Sequence, residues 1–180
     1  MARRSITPTT SSAPVITTNS ANYDGCANNV SSVGTNGRPS YYGAYDMSGN
    51  IWEWNETSVG VGNKVFRGGN WGYDANYLSS TYRNYGNSTT RSEYLGFRVA
   101  SYNLLQLYNN MVYVGDINNN ADSNGFGSVN YGYYLAKYEV TNSEYAEFLN
   151  SVAKTDTNGL YINNMSFSLY GGITRTMIIS

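Results

Sequence analysis

The stretch that decides the fold is Asp46-Met-Ser-Gly-Asn-Ile-Trp-Glu-Trp54, followed by Phe66-Arg-Gly-Gly-Asn-Trp71 and by Leu95-Gly-Phe-Arg-Val-Ala100. Leu95, Phe97 and Val99 alternate with small or polar residues, which predicts a strand with one apolar face. Val65–Arg67 predicts a shorter strand, and the glycine pair that follows indicates a turn or a close backbone approach. Tryptophans, glycines and a carboxylate at these spacings are typical of a rigid, turn-rich scaffold.

The composition favours irregular, β-containing structure with long loops. Charged residues make up 13% of the 180 residues and aromatic residues 15%, and 19 of the aromatic residues are tyrosines. A mixture of Tyr, Asn, Ser and Gly resembles a binding surface, because Tyr gives a large contact area at low entropic cost. The alternative is a secreted or virion protein that neutral polar groups keep in solution.

Several classes of function are disfavoured by what the chain lacks. The net charge is −1, with no basic stripe, so we expect no nucleic-acid partner. The absence of His removes imidazole catalysis and His-ligated metals, and the single Cys26 has no partner for an internal disulfide. No apolar run reaches the roughly 18 residues of a membrane helix, and the N-terminus has no apolar signal-peptide region. We therefore expect no membrane partner either.

Four segments are indicated along the chain. Residues 1–22 are rich in Thr and Ser and predict a flexible arm, and residues 23–101 hold the motifs. Residues 102–110 resemble a connector to residues 111–180. The polar loop at residues 115–125 invites a calcium interpretation, but it lacks the Glu at position twelve of an EF-hand loop, so we expect a plain polar loop.

The sequence of the second half of the chain, residues 111–180, predicts two strands and one helix. Met111–Val114 and the alternating Tyr133–Val140 indicate strands. Thr141 and Glu144 form a capping-box pattern, in which each side chain binds the other residue's backbone N–H. An apolar stripe at helical spacing follows, so we expect a helix near residues 142–153. Its members are Tyr145, Phe148, Leu149 and Val152.

The three motifs of the first half resemble the formylglycine-generating-enzyme (sulfatase-modifying factor) family, whose members have a variant of the C-type-lectin fold. Tyr138-Glu-Val-Thr-Asn-Ser-Glu-Tyr145 is similar to the family's opening strand and first helix. The resemblance implies an α+β, C-type-lectin-like fold. It also implies a permuted order, because the family's last motif comes first in this chain.

The family's middle section, with its tryptophan-rich helix, has no counterpart in this chain. Three explanations stay open: a shortened domain, a fold that neighbouring chains complete, or an incomplete reading frame. A short connector is physically reasonable, because the first and last strands of such folds lie side by side and circular permutation is tolerated where termini are close. We therefore expect the two pieces to fold against each other, with Met111–Val114 not remote from Leu95–Val99.

The resemblance also implies a structural calcium site. By this correspondence, the carboxylates of Asp46 and Glu53 and the carbonyls of Gly49 and Ile51 would hold the ion. The alternative is that Asp46 caps a turn and Glu53 pairs with an arginine such as Arg67 or Arg98.

Oxidase activity is not expected. The family's oxidases bind copper through a cysteine pair after the Gly-Gly motif, and the corresponding positions here are Tyr73 and Leu78. Neither side chain is a thiolate, which a soft metal needs. The related iron-dependent sulfoxide synthases use histidines, which this chain lacks. We expect neither copper nor iron.

Recognition is the function that the sequence favours. The region after Trp71 is where diversified members of the lectin-like group carry ligand-contacting residues. A glycan or protein ligand on an extracellular or particle surface follows from this comparison, and a self-assembling filament or virion subunit is the alternative. The predicted ligand-binding residues are Trp71, Tyr73, Asn76, Tyr77, Tyr82, Arg83, Tyr85 and Arg91.

Overall fold

The chain has an α+β fold with two small sheets and a helix after the second sheet. The computed structural model describes residues 17–102, 110–152, 155–156, 159–161, 164–167 and 172–174. The strands are β1 Trp52–Ser58, β2 Asn63–Arg67, β3 Asn84–Asn87, β4 Leu95–Gly96, β5 Ala100–Ser101, β6 Met111–Val114 and β7 Tyr133–Ala136. The helices are α1 Asn142–Val152 and α2 Asn164–Phe167, with a 3-10 turn at Ala75–Leu78.

The first sheet contains the strand predicted at Val65–Arg67, which begins earlier, at Asn63. Its strand order is β3-β2-β1-β4, in which β1 pairs antiparallel with β2 and parallel with β4. Trp52 opens β1 opposite Leu95 of β4, and its side chain is buried. The tryptophan motif therefore supplies one of the two inner strands of this sheet and part of the core.

The second sheet joins the two halves of the chain in the order β5-β7-β6. Leu135 of β7 lies opposite Ala100 on one side and opposite Val112 on the other. The segment that resembles the family's opening strand therefore lies beside the end of the Leu95–Ala100 motif, and Met111–Val114 lies one strand further away. The segment that resembles the family's opening strand takes the central place.

The single strand predicted over Leu95–Val99 is divided between the sheets. The chain leaves the first sheet after Gly96 and enters the second at Ala100. Between these points the carbonyls of Phe97 and Val99 accept hydrogen bonds from the N–H groups of Val140 and Ala136, at 2.9 and 2.8 Å. Alternation has the same period in either sheet, so the pattern did not reveal the transition.

The predicted helix and its cap are confirmed. The Thr141 N–H donates to Glu144 Oε2 at 2.8 Å, and the Glu144 N–H donates to Thr141 Oγ1 at 3.2 Å. The strand before it is shorter than the predicted Tyr133–Val140, since β7 ends at Ala136. Phe148 belongs to the predicted apolar stripe but remains exposed. The predicted helix end near Ala153 lies outside the described residues.

The predicted N-terminal arm ends earlier than residue 22. Ala21 and Asn22 are buried, and the Asn22 carbonyl accepts a hydrogen bond from the Asn50 N–H at 2.8 Å. Residues 1–16 of the arm and 103–109 of the connector lie outside the described residues. Within the described part of the chain, none of the helices has the length and apolar character needed to cross a membrane.

Candidate ligand-binding site

Arg98 organises the acidic turn that runs from Asp46 to Glu53. Its Nε lies 2.8 Å from both carboxylate oxygens of Glu53, and its side chain is 4% exposed. Its Nη atoms donate to the carbonyls of Tyr45 and Ala136 at 3.0 and 3.3 Å. Burial raises the pKa of Glu53, and the hydrogen bond from Arg98 opposes that rise. One guanidinium thus links the turn of the first half to β7 of the second half.

In this structure the two carboxylates of the predicted calcium site are engaged by protein donors. Asp46 accepts hydrogen bonds from the Gly34 N–H and from Asn36 Nδ2. Protein groups therefore hold the carboxylates of both Asp46 and Glu53. This agrees with the alternative in which Glu53 pairs with Arg98. Among the described residues there is no group of three or more His, Cys, Asp or Glu that could hold a metal ion. The calcium ligands predicted from the sequence are Asp46, Gly49, Ile51 and Glu53.

Three predicted ligand-binding residues form a tyrosine cluster with Trp52. The ring centroids of Tyr73, Tyr77 and Tyr82 lie 5.8, 6.2 and 6.0 Å from that of Trp52. Tyr77 also lies 4.6 Å from Tyr73 and 4.8 Å from Tyr82. Trp52 is 3% exposed and Tyr73 is 41% exposed, so the tyrosine cluster leads from the core to the surface. Such tilted and edge-on contacts fix ring orientations.

Arg83 holds the polar loop of the second half beside the tyrosine cluster. Its Nη2 lies 2.8 Å from Asp122 Oδ2, and its guanidinium carbon lies 4.2 Å from the centre of the Phe126 ring. Hydrogen bonds from Arg83 and from the N–H groups of Phe126 and Asn124 lower the pKa of Asp122 to about 2. Asp122 therefore holds the loop together and links it to Arg83.

A surface depression of about 580 Å³ lies where this loop meets the first half. Its walls combine amide, hydroxyl and aromatic groups, and both halves of the chain contribute to it. Such a combination suits a polar ligand that offers both hydroxyl groups and an apolar face. The lining residues are Asn76, Ser79, Thr81, Tyr82, Arg83, Asn124 and Phe126.

The remaining predicted ligand-binding residues have other surroundings. The Trp71 ring lies 5.6 Å from that of Tyr94, and Tyr85 is exposed on β3 opposite Val65. Arg91 donates to the Gly159 carbonyl at 3.1 Å and lines a different cavity. The structure therefore groups five of the eight predicted residues at the tyrosine cluster and the depression. They are Tyr73, Asn76, Tyr77, Tyr82 and Arg83.

The positions that correspond to the family's cysteine pair differ in exposure. Tyr73 is partly exposed, whereas Leu78 is a buried core residue. Cys26 is far from both in sequence, but its segment is adjacent in the fold, since the Asp24 N–H donates to the Tyr73 carbonyl at 2.9 Å. Sequence separation concealed this proximity. Cys26 is exposed, and one thiol does not replace a pair.

A second cavity, of about 730 Å³, is lined by Glu139, whose burial the sequence did not predict. Glu139 falls within the strand predicted at Tyr133–Val140, but it lies beyond the end of β7, lines this cavity and is 2% exposed. Its Oε1 accepts a hydrogen bond from Asn50 Nδ2 at 3.2 Å. Burial, followed by the charges of Glu53 and Asp46, raises the pKa of Glu139 to about 8. No local pattern marks such a residue, because its partners are distant in sequence.

The fold and the two cavities define a loop-rich, C-type-lectin-like α+β domain. The family model for the sulfatase-modifying factor enzyme 1-like domain matches residues 8–102, just over half of the 180 residues. The chain therefore belongs to the formylglycine-generating-enzyme (FGE-sulfatase) family. No curated protein and no solved structure matches it significantly. Residues 111–180 lie outside the matched region, so the permuted order and the missing middle section stay predictions.

Proposed function

We propose that this chain is a non-catalytic, lectin-like recognition domain that binds a glycan in the depression beside the tyrosine cluster. The observation that carries the proposal is that three predicted residues line the depression and two more lie in the tyrosine cluster beside it. Tyr82 and Phe126 offer aromatic rings, on which the apolar face of a sugar stacks. Asn76 and Thr81 offer amide and hydroxyl groups for the sugar hydroxyls. A neutral ligand matches this surface, because the charge of Arg83 is already paired with Asp122.

A glycan array tests the proposal. We expect selective binding that Phe126→Ala and Asn76→Ala weaken about tenfold, because both residues line the depression and are exposed. Tyr41→Ala is the matched control, because it removes a tyrosine that is 95% exposed elsewhere. Absence of glycan binding, or equal binding by all three variants, contradicts the proposal.

The proposed absence of catalysis rests on the two positions that lack a thiolate, Tyr73 and Leu78. Copper-dependent oxidation of a cysteine-containing peptide is the activity to measure. We expect the same rate with the protein and without it. A copper-dependent rate that follows protein concentration and persists in Cys26→Ser would contradict the proposal.

Self-assembly is the second candidate function, and exposed tyrosines near the second sheet favour it. Tyr102 is 68% exposed and lies 4.8 Å, centre to centre, from the partly exposed Tyr131. Tyr113 of β6 is exposed as well. Sedimentation that depends on concentration, and that Tyr102→Ser and Tyr113→Ser abolish, supports assembly. A monomer at every concentration opposes it. Either function suits display on an extracellular or particle surface.

Calcium binding at the acidic turn stays a separate proposal, and the family resemblance supports it. An ion that binds only the folded chain raises the melting temperature as its concentration rises. Because Glu53 must first leave Arg98, we expect only a small rise, and Asp46→Ala should remove it. A melting temperature that is independent of calcium contradicts the site. Magnesium at the same concentration controls for ionic strength.

A further inference from the structure

The second cavity combines a buried carboxyl group with aromatic walls. It lies between the acidic turn, the segment before β4 and the start of α1, and its volume is about 730 Å³. That volume lies within the range of small-molecule sites, roughly 300–1,000 Å³. Trp54, Phe97 and Tyr145 line it, together with Glu139 and its hydrogen-bond partner Asn50.

One oxygen of Glu139 is left without a partner. Oε1 accepts from Asn50, whereas the buried Oε2 has no hydrogen-bond partner in the described part of the chain. Asn50 is held in this orientation because its Oδ1 accepts from the Ser31 N–H at 2.9 Å, and its Nδ2 donates to Oε1 rather than to Oε2. A buried polar atom without a partner costs free energy, which a ligand with a suitable donor recovers.

The charges around Glu139 favour a cationic donor. Asp46 and Glu53 both raise the pKa of Glu139, and Arg98 is the cation that opposes them. Arg98 is engaged with Glu53, so three carboxyl groups share one guanidinium. Arg91 and Glu93 also line the cavity, and their opposite charges offset one another. The local excess is therefore negative.

We infer that this cavity binds a protonated amine, which donates to Oε2 of Glu139 and places its carbon atoms against Trp54, Phe97 and Tyr145. A carboxylate gives a charge-assisted hydrogen bond, and aromatic faces attract the same cation. The amine is that of a free small molecule or of a lysine side chain on a partner. The site is distinct from the depression proposed to bind glycans, so each proposal can fail while the other holds.

Binding of defined probes, followed by calorimetry and amide chemical shifts, tests the inference. Benzylammonium is compared with the neutral benzyl alcohol, and blocked lysine with blocked norleucine. We expect the charged member of at least one pair to bind roughly tenfold tighter or more, as expected for a hydrogen bond to a charged group. The pair that responds identifies the source of the amine. Equal affinities in both pairs overturn the inference.

Two isosteric variants locate the site. Glu139→Gln keeps an acceptor for Asn50 but removes the group that ionises when the amine binds, and we expect it to abolish the preference for the charged probe. Glu93→Gln is the matched control, because Glu93 lines the same cavity but is exposed. Loss of the preference in Glu93→Gln, or its persistence in a folded Glu139→Gln, overturns the assignment.

The wild-type chain offers a readout that needs no variant. At pH 7 Glu139 holds a proton, because its pKa is about 8 in the presence of Asp46, Glu53 and Arg98. An ammonium group beside Oε2 favours the ionised form, so binding releases a proton to the buffer. We expect the binding enthalpy measured with benzylammonium to change with the ionisation enthalpy of the buffer. Tight binding without proton release places the amine elsewhere and overturns the inference.

Discussion

The buried polar contacts around Arg98 and Asn50 and the tyrosine cluster around Trp52 are built in opposite ways. Arg98 and Asn50 each make hydrogen bonds to several specific partners from different parts of the chain. In the tyrosine cluster each ring contacts at least two others, so contacts are redundant. From this comparison we expect the polar contacts to fix the fold and the tyrosine cluster to tolerate change, as the proposed recognition surface would require.

The sharpest test of this comparison is Arg98→Ala. We expect a loss of about 3–5 kcal/mol in the free energy of unfolding, because the change leaves the buried Glu53 carboxylate without its cation. Urea denaturation measures it. Lys64→Ala is the control, because the Lys64–Glu56 pair is exposed and such pairs contribute about 0–1 kcal/mol. Similar losses in the two variants would remove the distinction between buried and exposed pairs.

A second test uses the pH dependence of stability. The pKa of Glu139 is about 8 in the folded chain and 4.5 in its ordinary state. Between these values the folded chain holds a proton that the unfolded chain has lost, so stability falls as pH rises, at roughly 1.4 kcal/mol per pH unit. We expect Glu139→Gln to lack this contribution and to exceed the wild type in stability near pH 8. Parallel stability profiles from pH 5 to 8 would show that Glu139 is ionised in the fold.

The smallest effect is expected in the tyrosine cluster. Tyr77→Phe and Tyr82→Phe keep the ring contacts with Trp52, so we expect changes within about 0.5 kcal/mol. Thermal and urea unfolding measure them, with Trp52→Ala as the contrast, since it removes the shared ring and costs about 3–5 kcal/mol. A loss above about 1.5 kcal/mol in either phenylalanine variant would indicate that the tyrosine hydroxyl makes a specific stabilising hydrogen bond, as the groups around Arg98 do.

Local signals in the sequence predicted local structure well. The helix and its cap followed from Thr141, Glu144 and the apolar spacing, because a capping box involves residues only three positions apart. The family motifs gave the α+β, C-type-lectin-like fold. The division of Leu95–Ser101 between two sheets was not predicted, because an alternating pattern does not indicate which strand a segment pairs with.

Long-range polar contacts were the least predictable. The Glu53–Arg98 pair was one of two arginine choices, and only the fold brings Arg98 to the turn. Glu139 looked like a strand residue, because its burial depends on Asn50 and on the approach of the first half. Five of the predicted ligand-binding residues lie together in the fold. Ring contacts with Trp52 and the pairing of Arg83 with Asp122 bring them together, and both kinds of contact join residues that are distant in sequence.

The pairing of β5 with β7 has a consequence for limited proteolysis. The backbone bonds between residues 97–101 and 134–140, together with those from Arg98, cross from the first half to the second. A single cut between residues 102 and 110 therefore leaves two fragments that these bonds hold in one complex. We expect the nicked protein to elute as an intact particle and its fragments to separate only in denaturant.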